Sequence, residues 1–170
     1  MKRLWVVLLR LCLANPGTQA APVPRFHDYL VEETWQGPNA PVKLKTHAQR
    51  MFRTILTGAS KERANFAGHY RFEIWGCGTE CNAGALIDLQ TGDVFPPPLA
   101  GKGSGWEYWI ISPSMFEASG IDFHANSRLM ILRCGYERDR RGNNIPDVFY
   151  FVWDGQHFAE VLRDPARKSH

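Results

Sequence analysis

The sequence predicts an α+β fold, an antiparallel β-sheet with one N-terminal helix packed on a face, in a single domain. Three observations carry this. A single amphipathic helical pattern occupies the region just after residue 45. From Asn65 onward, the apolar residues fall in short runs at strand spacing, broken by turn residues. Gln90-Thr91-Gly92 and Asp154-Gly155 are hairpin signals, which join neighbouring antiparallel strands.

Taken in order, residues 1–20 read as an export signal. Lys2 and Arg3 form a positive start, Leu4 to Ala14 an apolar run interrupted by Arg10, and Thr18-Gln19-Ala20 a cleavage site. The run is shorter than the roughly 20 residues a membrane span needs. Residues 21–45 carry Pro22, Pro24, Pro38 and Pro41 and read as an irregular or partly extended arm. The α+β domain then covers 46–163, with a short tail at 164–170.

Thr46 followed by Gln49 is a capping box that opens the helix. Ala48, Met51, Phe52, Ile55 and Leu56 share its apolar face, and Gly58 is expected to end it. The expected strands are Phe66–Trp75, Ala83–Leu89, Asp93–Phe95, Trp106–Ile111, Arg128–Cys134, Asp147–Trp153 and His157–Leu162. Pro96-Pro97-Pro98 stops the third. A glycine-rich loop at 101–105, a helical turn near Pro113–Ala118 and a polar loop from Glu137 to Pro146 fill the gaps.

Charge and size narrow the partners. The formal charge is +3, but without Lys2, Arg3 and Arg10 the chain carries 17 basic and 17 acidic residues. That removes the case for nucleic acid or an anionic membrane as partner. About 150 residues suffice for one hydrophobic core without dependence on disulfides. In an oxidising compartment Cys77, Cys81 and Cys134 leave one thiol over. By chain entropy a local bridge contributes ~2 kcal/mol and one to Cys134 ~4 kcal/mol. Gly76 and Gly78 nevertheless favour a tight Cys77–Cys81 bridge, with Cys134 a buried strand thiol.

Phe66-Ala-Gly-His-Tyr70, Trp75-Gly-Cys-Gly-Thr-Glu-Cys81, Asp88-Leu-Gln-Thr-Gly-Asp-Val94 and Trp153-Asp-Gly155 carry a resemblance. Over roughly residues 60–162 the chain resembles small exported bacterial proteins of unknown function. The resemblance implies a shared fold and an extracytoplasmic setting, and no activity.

For chemistry, the Phe66–Trp75 strand is the richest segment. Phe66, Gly68, Tyr70, Phe72 and Ile74 point one way; Ala67, His69, Arg71, Glu73 and Trp75 point the other. The second face reads either as a solvated surface with charge pairs or as a polar pocket. In the pocket reading Arg71 meets an anionic group and His69 with Glu73 acts as an acid/base pair. Asp88 and Arg133 lie on neighbouring strands as further members. A zinc site from the cysteines and a histidine fits less well than a disulfide, and no metal or cofactor is expected. Cys134 with His69 or His124 makes a poor nucleophilic pair, because a buried strand thiol is inert. The phosphate-loop, G-x-S-x-G, H-E-x-x-H, S-x-x-K and calcium-loop patterns are absent.

By elimination the expected function is an exported, non-enzymatic binding protein of inhibitor or immunity type, periplasmic or secreted. Its partner would be an envelope protein, a toxin or another ligand. The alternatives are a small hydrolase or transferase using the His/Glu/Arg pocket, and an envelope scaffold subunit.

Overall fold

The computed structural model describes residues 22–78, 81–99, 109–111, 120–138 and 144–164. At 77–78, 81–82, 109–111, 134–138 and 144–146 it describes the backbone alone. The chain is mixed α+β and mostly sheet, but it builds two antiparallel sheets where the sequence suggested one. The first contains β1 (Tyr70–Gly78), β2 (Cys81–Asp88), β3 (Val94–Phe95) and β4 (Trp109–Ile111). β1 takes one edge of β2, while β3 and β4 share the other, at Leu86–Ile87 and Cys81–Ala83 respectively. The second sheet runs in order β5 (Ile121–Phe123), β6 (Leu129–Arg138), β7 (Asn144–Trp153), β8 (Phe158–Asp164).

The two sheets pack face to face. Tyr70, Phe72 and Leu86 from the first meet Met130, Leu132, Phe149, Phe151 and Trp153 from the second, together with Phe66. Residues of opposite parity face outward and are covered as well. Ala85, Ile87 and Leu89 pack against Leu56, Ala59, Phe52 and Trp35. Leu129, Ile131 and Val152 pack against Phe26 and Tyr29. Leu129–Leu132 and Val148–Trp153 are unbroken apolar runs for this reason: both faces are buried, so period-2 alternation disappears.

The helical region differs from expectation. The Thr46/Gln49 capping box forms, with Thr46 Oγ1 accepting from Gln49 N at 3.2 Å and Gln49 Oε1 accepting from Thr46 N at 3.0 Å. Gln49 is buried, and its Nε2 donates to Val94 O at 3.2 Å, clipping the helix to β3. At Phe52 (φ −95°, ψ 19°) the helix breaks into α1 (His47–Met51) and α2 (Arg53–Ala59). The break turns Met51 away from the predicted apolar stripe and leaves it 52 % exposed. Gly58 does not end the helix, which runs on to Ala59 and the Ser60 cap.

Strand limits also shift. Glu137 pairs with Ile145 and Arg138 with Asn144, so much of the expected 137–146 loop is ladder. β5 had no sequence expectation. The loop at 101–105, the turn at 113–118 and the start of the Trp106 strand lie outside the described residues, as does the tail from 165. The side chains of Cys77, Cys81 and Cys134 also lie outside them, and with them the expected disulfide.

Phe66–His69 is not strand. Ala67 (φ 45°) and Gly68 (φ 85°) adopt left-handed conformations, turning the chain so that Phe66 and Tyr70 exchange backbone hydrogen bonds at 3.0 Å. Asn65 then acts as a neighbouring strand in miniature: its Oδ1 accepts from Phe72 N at 2.7 Å and its Nδ2 donates to Phe72 O at 2.9 Å. From Tyr70 onward the predicted alternation holds, with Tyr70, Phe72 and Ile74 toward the inter-sheet core and Trp75 toward the helices.

The N-terminal arm is a strap. It opens with a 3₁₀ turn, Phe26–Tyr29, on the outer face of the second sheet. Val31 N then donates to Asn126 O (3.0 Å), Trp35 N to Gly68 O (2.8 Å), Ala40 N to Leu89 O (2.8 Å) and Lys43 N to Gly92 O (2.7 Å). Ser127, fully buried, closes the junction: its Oγ donates to Phe26 O at 2.9 Å and accepts from Leu129 N at 3.2 Å.

Candidate functional site

The five residues singled out from sequence do not share one environment. Arg71 and Glu73 point from β1 to the same side and bind each other, with Nη2–Oε2 at 2.9 Å and Nε donating to the same oxygen at 3.0 Å. His69 Nε2 lies 3.8 Å from Asp88 Oδ1. That oxygen accepts hydrogen bonds from Gln90 N (2.8 Å) and Thr91 N (3.3 Å), so Asp88 shapes the turn after β2. Arg133 projects from the outer face of the second sheet, where Nη1 meets Asp122 Oδ2 at 2.6 Å. The structure therefore brings together two pairs, and places the fifth residue apart from them on the outer face of the second sheet.

The motif residues around these pairs have structural work of their own. Gly68 receives Trp35 of the strap and Gly92 receives Lys43. Asp93 completes the attachment through ion pairs with Lys45 (2.7 Å) and Lys43 (3.4 Å). The Lys45 hydrogen bond, aided by the charge of Lys43, holds the Asp93 carboxyl below the ordinary aspartate value. A lowered folded pKa means the pairing stabilises fully above the unfolded carboxylate range and is lost as pH falls through the folded value. Stability of the wild type should thus decline on acidification below about pH 4 more steeply than that of Asp93→Asn. Equilibrium urea unfolding across pH 2–6 checks this, and the difference should shrink in high salt, because the pair is partly exposed.

Tyr70 is buried between the sheets, and burial pushes its phenol above the ordinary tyrosine value. The Trp153 indole opposes that shift, while the Asp88 and Asp154 carboxylates add to it. The indole N–H lies near enough to act on the hydroxyl, but it meets no acceptor at full hydrogen-bond geometry. Tyr70 is core, not a reactive group.

A concavity among the described residues lies elsewhere. It is an open groove of about 810 Å³ between the strap (Trp35–Leu44) and the wall formed by α2 and the segment after it (Arg53–Ala64). Asn39 ties the walls together, its Nδ2 donating to Ser60 O at 3.0 Å and Glu62 O at 2.9 Å. Arg53, Lys61, Glu62 and Arg63 line it. Sequence reasoning missed these residues. Lys61-Glu62-Arg63 carries no motif, and only the course of the strap turns it into a groove wall.

Among the described residues no cluster of three or more His, Cys, Asp or Glu suits a metal ion, and no helix is long and apolar enough to cross a membrane. No family model, curated protein or solved structure matches the chain.

Proposed function

We propose that this is an exported binding protein that acts outside the cytosol and does no covalent chemistry. The observation that supports it is the groove beneath the strap. It is large enough for a ligand, since small-molecule sites occupy about 300–1,000 Å³. The residues suited to acid/base work are instead spent on local pairs: Arg71 on Glu73, and Asp88 on its own turn. The leader expected at 1–20, the Cys77–Cys81 bridge expected from the sequence and the chain's resemblance to exported bacterial proteins would fit the same reading, as would an inhibitor or immunity role toward an envelope protein or toxin.

The test is ligand capture. The processed protein should retain a component of the envelope fraction that Thr57→Trp, which fills the groove from α2, does not. Equal retention by both forms, or none by either, overturns the reading.

One observation favours a second reading, a small hydrolase or transferase. The His69 imidazole is about one-third exposed and has Asp88 beside it, an arrangement in which a carboxylate orients a general base. In that case His69→Ala abolishes turnover of model esters while leaving the unfolding midpoint unchanged; absence of turnover in the wild type removes it.

A further inference from the structure

Among the described residues, the groove carries a charge imbalance that its lining does not neutralise. Arg53, Lys61 and Arg63 face a single carboxylate, Glu62, and all four are exposed. Among the described residues, none of these three cations forms an ion pair. The contrast with nearby cations is direct: Lys43 and Lys45 are both held by Asp93, and Arg71 by Glu73. Trp35 lines the same groove. Its indole nitrogen is buried and, among the described residues, has no hydrogen-bond partner. An indole N–H can only donate, so it wants an acceptor.

We propose that the groove binds a small polyanion bearing at least two carboxylate or phosphate groups. This rests on the binding reading above and gives the ligand its chemistry. Two uncompensated positive charges set the minimum charge of the ligand. Guanidinium groups suit both anions because their forked donors match two oxygens at once, and a concave wall concentrates their field. The volume and the Asn39 cross-tie favour a compact ligand over a long polymer.

The experiment follows the tryptophan indole resonances of ¹⁵N-labelled protein during titration with citrate and, separately, tripolyphosphate. A saturable shift of the Trp35 signal is expected, with affinity at least tenfold weaker in Arg53→Ala/Lys61→Ala/Arg63→Ala and recovered in Arg53→Lys/Lys61→Arg/Arg63→Lys. A response to citrate alone assigns the site to carboxylates, to tripolyphosphate alone to phosphates, and to both to either group. No Trp35 shift with either probe, or equal binding by the triple alanine variant, overturns the proposal. If that variant still captures the envelope ligand, the anion site falls while the binding function stands.

Discussion

Gly92→Ala should lower the stability of the protein by about 3 kcal/mol, a loss read as a drop in the urea midpoint and in Tm. Two effects add. At φ +80° an alanine side chain is strained by roughly 1–3 kcal/mol. Its Cβ would also stand only 2.0 Å from the Pro41 carbonyl oxygen, a backbone atom that cannot swing aside. The strap must lift, which breaks the Lys43–Gly92 hydrogen bond at about 1 kcal/mol and loosens the Asp93 ion pairs. Gly155→Ala separates the two effects, because Gly155 has φ +102° but nothing within 4 Å of its Cβ position. It should show the strain alone. Equal losses in the two variants would mean that the strap is not seated on Gly92.

Trp153→Ala should be the most destabilising single truncation, by about 3–5 kcal/mol. Trp153 is only 1 % exposed and lies where both sheets converge, with ring centroids 4.9 Å from Phe158, 5.1 Å from Phe95 and 5.4 Å from Tyr70. Its removal leaves an aromatic-sized void between two rigid sheets, which cannot collapse to fill it. At about 2–4 °C per kcal/mol for a chain of this size, Tm should fall by roughly 6–20 °C. The near-UV circular dichroism should flatten with it. Val161→Ala, on the exposed side of β8, should move neither signal. A Trp153 variant as stable as wild type would contradict the inter-sheet core.

The proportion of the fold legible in the sequence follows from how locally each feature is encoded. The Thr46/Gln49 box, the Gln90–Gly92 turn and the Asp154–Gly155 turn each depend on a few adjacent residues, and each formed. Asp154 Oδ1 accepts from Gln156 N and His157 N at 2.7 Å, the side-chain turn that its residue type favours. The break at Phe52 was not legible, because it follows from how α1 and α2 seat on the first sheet, not from any breaker residue. Phe66–His69 misled for the opposite reason. Its apolar and small residues alternate well enough for a strand, yet Ala67 accepts a left-handed φ, a conformation that alanine's own preference disfavours.

The candidate site was less legible still. Arg71 with Glu73 sits two residues apart on one strand face, so the pair follows from period 2 alone. Arg133 required knowledge of which sheet and which face its strand joins. The groove required the path of a proline-interrupted arm, whose hydrogen bonds reach partners 33–49 residues away, at Gly68, Leu89 and Gly92. No local preference records such partners.

By itself the sequence determined the class of structure, the positions of the tight turns and the inward-facing residues of β1, because propensity and alternation act over short distances. Tertiary structure alone decided that there are two sheets, that the central strands β2, β6 and β7 are packed on both faces, and that the arm straps the first sheet to form one wall of a cationic groove. Those outcomes depend on burying apolar surface between segments distant in the chain, and that energy belongs to the packed assembly.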